Sequence, residues 1–230
     1  GVREGFVRYG AIAYFDADAS VNAIWVSHLG ELFEPDDDGW AHARWAYKVS
    51  ALVGVTLRDH LVGTHLVIGN ALASASRDSL APSHPLRRLL KPFSYRTIVV
   101  NRGARALLCK PRSLLHRATA LTEAALAEGF NATTATLRQR FDPASGALLD
   151  YLDGVRLAIE AEPTAPFFAD AKRLRDTIEH FVAAYVSEYY ADDARLLDDA
   201  EASRFWEALR GEFRSLRALG DVGGGATARQ

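Results

Sequence analysis

The chain has 230 residues, 49% hydrophobic and 24% charged, with a formal net charge of −2. That balance belongs to an ordinary globular protein with enough chain to bury a core, and it offers no global electrostatic case for a nucleic-acid partner. The lone Cys109 excludes an intrachain disulfide or a zinc finger and fits a reducing, cytoplasmic setting.

No basic-then-apolar signal segment opens the chain, and no methionine occurs anywhere, so a trimmed N-terminus and a longer parent product are expected. Residues 6–33 are the only β territory: apolar segments 6–15 and 21–26 flank the polar cluster 16–20, which predicts a hairpin. Residues 34–39 hold the acidic triplet Asp36-Asp37-Asp38, which lacks the alternation of a calcium loop and reads as solvated. From Trp40 onward the pattern is helical. Residues 40–47 form one amphipathic helix or the first turns of the next, and the apolar run 49–72 predicts a buried helix. Arg58, Asp59 and two histidines inside that run argue against a membrane span.

Residues 74–85 predict a turn closed by Pro82 and Pro85, and Pro85 suits the first turn of a short helix that Lys91-Pro92 ends. Helices are further predicted around 101–108, over 114–126 and over 132–141, with a break at 142–146 and an extended loop at the end of 147–167. The longest regular helix is expected at 170–190, with Leu174, Ile178, Phe181, Val182, Tyr185, Val186 and Tyr189 as its apolar stripe. A helix over 201–219 follows, then a Gly-rich tail, 220–230. One domain over 1–230 is expected, mainly α: hairpin and loop to residue 39, helices over 40–219, and a flexible tail.

The candidate site lies in the run 49–72. His60 and His65 stand five residues apart, which on an α-helix of 3.6 residues per turn aims them roughly 140° apart. One π-type turn, with its i→i+5 hydrogen bond, brings them together, and Gly63 between them eases that distortion. They are then a pair of metal ligands on a widened helix. The alternative is two ordinary histidines, one buried and hydrogen-bonded, one near the surface. His28, His42 and His116 read as surface residues, and Arg87 and Arg88 as an exposed helix face or a contact for an anionic head group.

His60-Leu-Val-Gly-Thr-His65 resembles the lipoxygenase helix that carries the first two iron-binding histidines. Arg77, the His84-Pro85 segment, Asn101-Arg-Gly-Ala-Arg105 and the long helix ending in Tyr189-Tyr190 follow in that family's order. The resemblance runs from about residue 13 to about residue 210. It implies a helical catalytic-domain fragment around a non-haem iron, Fe. In that family a ferric hydroxide removes a hydrogen atom between two cis double bonds of a fatty acid, and oxygen adds to the carbon radical. By the same resemblance Ala104, Leu108 and Leu115 line the pocket for an apolar substrate; helix packing is the plainer reading of all three.

The sequence also departs from the pattern. The family's remaining ligands (a third His, an Asn and a C-terminal Ile carboxylate) come from a later half with no counterpart here, and this chain ends in Ala-Arg-Gln. Thr56 stands where the family has a Gln behind its metal ligands, and Gly69-Asn70 replaces its Glu-Pro. Three outcomes follow. A third ligand comes from this chain, with His180 and Glu188 foremost and His84 and Asp59 next; a partner or further residues supply it; or no metal binds. The functional expectation is a lipoxygenase-like iron oxygenase or its remnant. The competing one is a non-catalytic helical protein that binds a hydrophobic ligand, another copy of itself or a partner subunit.

Overall fold

The computed structural model of the chain describes residues 1–18, 20–110, 112–140, 154 and 166–214. The strands are β1 (Ala11–Phe15), β2 (Val21–Val26) and β3 (Glu31–Phe33). The helices are α1 (Trp40–Val53), a π-helical segment (Gly54–Gly69), α2 (Asn70–Ser79), α3 (Pro85–Ser94), α4 (Thr97–Leu108), α5 (Leu114–Ala118), α6 (Glu123–Arg140), α7 (Pro166–Ser187), α8 (Asp193–Leu197) and α9 (Ala200–Arg214). The fold is mainly α with a small antiparallel sheet. The chain divides into two compact units, one of Gly1–Val62 and Gly103–Thr133, the other of Gly63–Arg102 and the described part of Thr134–Ala218.

In the first unit the hairpin forms as the apolar pattern predicts, with Ala11 opposite Val26 and Ile12 opposite Trp25. Asp16 fixes its turn: one carboxylate oxygen accepts the amides of Asp18 at 3.0 Å and Ser20 at 2.9 Å. A third strand, β3, pairs antiparallel with β2 beyond a turn at Gly30, whose φ of 69° suits glycine. Three residues are too few to show an alternation, so the pattern of the sequence does not reveal it. Ile24 and Val26 share one face of β2 and pack on Ala43 and Ala46 of α1, all four fully buried. Small residues on the helix let it approach the sheet closely.

Residues 40–79 form one continuous helix: 40–47 are the first turns of the histidine helix, the second of the two alternatives, and the helix runs on through 74–79, where the sequence predicts a turn. It runs to Ser79 because the prolines that stop it come only at 82 and 85. It is long and apolar enough to cross a membrane, with an 18-residue window of mean hydropathy 1.2. A core helix has the same composition, and Val62, Val67 and Ala71 on it are buried. The helix expected over 114–126 is broken at Thr119, whose backbone is extended. The cause is tertiary: Val2 bridges Leu121, and the Arg3 amide donates to the Ala120 carbonyl at 2.8 Å. The chain then re-enters a single helix, α6, that absorbs the separate 132–141 helix.

In the second unit α2 packs against α9 around Ala75, Leu80 and Phe205, with Leu72, Leu86, Leu90 and Leu209 closing the cluster. Helix α3 continues past Lys91-Pro92 to Ser94, with Pro92 inside its last turn. Pro92 forfeits one bond, to the Arg88 carbonyl, and the helix ends two residues later. The expected stripe on α7 is not a core stripe. Leu174 is 62% exposed, Phe181 56% exposed, and no residue of α7 is buried. The break at 142–146, most of the loop at 147–167 and the tail at 220–230 lie outside the described residues.

His84 caps α3: its Nδ1 accepts the Leu86 amide at 3.2 Å, so Nε2 carries the proton, 3.0 Å from Asp199 Oδ2. The Tyr190 hydroxyl donates to the same oxygen at 2.7 Å. Asp199 Oδ1 accepts the amides of Glu201 and Ala202 and so caps α9. Burial works against the Asp199 charge, but the Ala202 amide, the Tyr190 hydroxyl, His84 and the Glu201 amide outweigh it and hold the carboxyl at about 2. Burial first, then the bond to Asp199, pushes the Tyr190 phenol up to about 12.

A folded value near 2 against an ordinary 3.8 means that Asp199 stabilises the fold above about pH 4 and stops doing so as pH falls toward 2. Asp199→Ala is expected to cost about 2 kcal/mol at pH 7. It should also flatten the loss of stability between pH 4 and 2, both read from urea melts across that range.

Candidate functional site

His60 and His65 both lie on the π-helical segment Gly54–Gly69, one i→i+5 turn apart. The sequence predicts a single widened turn; the structure holds the i→i+5 repeat for 16 residues. His60 is exposed and His65 half-buried. Thr56, at the family's Gln position, is exposed on the same segment.

The backbone at His65 is held from α4. The Asn101 side chain, 2% exposed, donates from Nδ2 to the His65 carbonyl and, at 2.8 Å, to Asn70 Oδ1. Asn70 in turn donates to the Leu66 carbonyl at 3.0 Å. Asn101 Oδ1 is buried without a hydrogen-bond partner. A Cβ on Gly69 would come to 3.0 Å from both the Thr64 carbonyl oxygen and a Thr97 methyl, so any side chain there requires a neighbour to shift. Asn101 was legible in the sequence only as part of a motif. Its role as a brace is a packing result, and its one sequence signal is a polar amide directly after the apolar Ile98-Val99-Val100.

Ala104 and Leu108 are half-buried on α4, and Leu115 on α5 is 9% exposed. Leu115 lines an apolar cavity of about 630 Å³ in the first unit. Phe6, Tyr9, Trp45, Leu52 and Leu57 form much of the remaining wall; Ala104 and Leu108 do not line it. That volume and apolar lining suit a small-molecule or acyl ligand. Tyr9, Trp45 and Phe6 carry no motif, so the sequence alone does not single them out.

The proposed third donors, His180 on α7 and Glu188 just beyond its end, are both exposed. Among the described residues no three His, Cys, Asp or Glu side chains gather as a metal-binding group. Of the other two candidates, Asp59 pairs with Arg58 at 2.8 Å and His84 with Asp199. His28 and His42 are not the surface residues expected. Both are half-buried, edge-to-face at 5.9 Å, and His42 also meets the Trp45 ring at 5.7 Å. His116 is half-buried, 4.0 Å from Glu123. Burial raises the Cys109 thiol against the pull of Arg105, which disfavours the thiolate a nucleophile needs.

These residues define a mainly helical protein with two imidazoles on a π-helical turn and an apolar cavity walled in part by the same helix. The chain belongs to the lipoxygenase family, whose model matches residues 35–214. It is 31% identical to the linoleate 9/13-lipoxygenase of Pseudomonas aeruginosa over 164 residues, 71% of this chain and 23% of that protein. It is 28% identical to the human (Homo sapiens) hydroperoxide isomerase ALOXE3 over 201 residues, 86% of this chain and 27% of that one. It is 26% identical to the polyunsaturated fatty acid lipoxygenase ALOX15B of Rattus norvegicus over 174 residues, 74% of this chain and 24% of the relative. The chain thus spans about a quarter of the length of these relatives.

The Tyr9 hydroxyl is buried without a partner, and burial pushes its phenol pKa up. Tyr9→Phe removes an unsatisfied donor and is expected to stabilise the chain by up to about 1 kcal/mol. A loss of more than that in a thermal melt would reveal a bond to the hydroxyl.

Proposed function

We propose that the chain carries part of the iron centre and of the acyl pocket of a lipoxygenase, and acts in oxygenating an unsaturated acyl chain. The observation that supports this most is the π-helical segment, which sets His60 and His65 one widened turn apart in a chain of that family. The donor chemistry fits iron in kind, because neutral imidazoles are good ligands for it. It is incomplete in number, since a mononuclear site needs at least a third protein donor. His180 or Glu188, or a donor from outside this chain, would complete it.

Bound iron would supply the one-electron chemistry that activates a carbon between two double bonds toward oxygen. The chain's own residues do the rest. Asn101 fixes the backbone that carries His65. Leu115 and the aromatic wall hold an apolar chain away from water, which limits side reactions of a radical. Ala104 and Leu108 lie outside the wall of this cavity, and their contact with substrate rests on the family resemblance alone.

Aerobically purified protein is expected to contain iron by elemental analysis and to lose it in His60→Ala and His65→Ala, while circular dichroism stays unchanged. Incubation with linoleate should raise conjugated-diene absorbance in the wild type alone. Iron-free wild-type protein, together with a His60→Ala variant whose fold and any activity are unchanged, would end this reading.

A second reading has its own support. Helix α7 presents Phe167, Leu174, Ile178 and Phe181 to solvent at 40–73% exposure, and β1 presents Ile12 and Tyr14. Apolar faces on this scale suit a second copy, a partner subunit or a hydrophobic ligand, with no catalysis required. On this reading light scattering after size exclusion gives a mass above 25.2 kDa, or mass spectrometry finds a co-purified lipid. A clean, ligand-free monomer would remove the support.

A further inference from the structure

A second concavity, of about 320 Å³, lies within the second unit, where the ends of α2 and α3 meet the start of α4. Its charged lining is of one sign: Arg77, Arg87, Lys91 and Arg96, with no Asp or Glu in the wall. None of these four cations makes an ion pair among the described residues. Asp78, next in sequence to Arg77, does not line the pocket. It acts on Glu212, whose carboxyl is pushed up by burial and then by Asp78.

Arg87 is held in place, its Nη1 donating to the Leu80 carbonyl at 2.6 Å and to the Arg77 carbonyl at 3.5 Å. Arg96 stacks on the Tyr95 ring at 5.4 Å and takes a left-handed φ of 56° at the entry to α4. Non-glycine residues adopt that conformation at a cost. Helix α4 has 12 residues and no acidic side chain in its first turn, so its positive end adds to the pocket's field. The C-terminal end of α3 brings carbonyls of the opposite sign, but Ser94 Oγ donates to one of them, Leu90, and Lys91 lies in that last turn. The hydroxyls of Ser76 and Ser94 are spent on their own helix carbonyls, which leaves the cations and the α4 amides as donors.

Four like charges around one small pocket repel one another unless an anion joins them. The volume is that of about ten waters, enough for a phosphate group with part of its hydration. Arginine forks match phosphate oxygens better than single-point donors do. The exposed Tyr95 and Val99 add an apolar lip, as a site that meets a lipid surface would have.

We infer that this pocket binds a phosphate-type anion, either free or as the head group of an anionic lipid. The lining includes neither histidine of the candidate iron site and shares no residue with the apolar cavity, so the inference stands or falls independently of iron.

The test uses the full chain with inorganic phosphate against chloride at matched ionic strength, read as thermal shift. In parallel, vesicles of phosphatidylcholine with and without phosphatidic acid are sedimented with it. Lys91→Gln/Arg96→Gln is the pocket variant, and Arg87 is left in place because it holds the Leu80 carbonyl. Lys91→Gln alone serves if the double variant melts early, and Arg204→Gln, on exposed α9 surface, is the control. Stabilisation by phosphate that the pocket variant weakens on the order of tenfold or more, and the control does not, supports a free-anion site. Sedimentation with phosphatidic acid vesicles alone, lost in the same variant, supports the lipid-borne head group. No binding by the wild type, binding unchanged in the pocket variant, or equal loss in the control overturns the inference.

Discussion

A helix of 40 residues that changes its hydrogen-bond repeat part-way is the constraint on which the candidate site depends. The first 14 residues follow i→i+4, the next 16 follow i→i+5, and the last ten return to i→i+4. Each i→i+5 turn takes in more residues, so it rotates side chains relative to where an α-helix would leave them. For two histidines five positions apart that rotation decides between opposite faces and a shared one. A π repeat of this length is unusual and needs support from outside the helix. Part of that support is visible in Asn101, which grips the His65 carbonyl and Asn70 across a close approach to Gly69.

The second unit rests on a different kind of bond. Asp199 gathers four donors: two α9 amides, the Tyr190 hydroxyl and the His84 ring. One carboxylate thereby joins the cap of α3 to the cap of α9. Tyr185 adds a second tie, donating to the Pro85 carbonyl at 3.1 Å. The His-Pro segment therefore acts structurally here. His84 was a reserve candidate for the metal, and its two ring nitrogens are committed to Leu86 and Asp199.

Polar satisfaction and apolar exposure pull in opposite directions in this chain. Among the described residues the buried side-chain polar atoms without a partner are Arg3 Nε, the Tyr9 hydroxyl, His28 Nδ1 and Asn101 Oδ1, while large apolar side chains on α7, on β1 and on α4 face solvent. Val99 and Leu107 on α4 are 71% and 72% exposed. A helix with a sound apolar stripe and no buried residue, as α7 is, shows that amphipathic spacing specifies a face without specifying what covers it.

The sequence by itself determined the class of the fold, the hairpin, the helical run from Trp40, and the order of motifs that marks the family. Those signals are local or strictly ordered along the chain: short apolar segments around a polar turn, helical spacing over fifteen residues, prolines at 82 and 85, and paired histidines with a glycine between them. Tertiary structure alone decided the rest. The bridge from Val2 to Leu121 split one predicted helix, β3 formed from three residues, and α3 ran on through Pro92. The walls of the apolar cavity likewise come from residues distant in sequence, and the one-signed basic pocket from the packing of three successive helices. No local pattern records which side chains will meet, because meeting depends on packing between elements; the histidine pair was legible because both of its members ride on one helix.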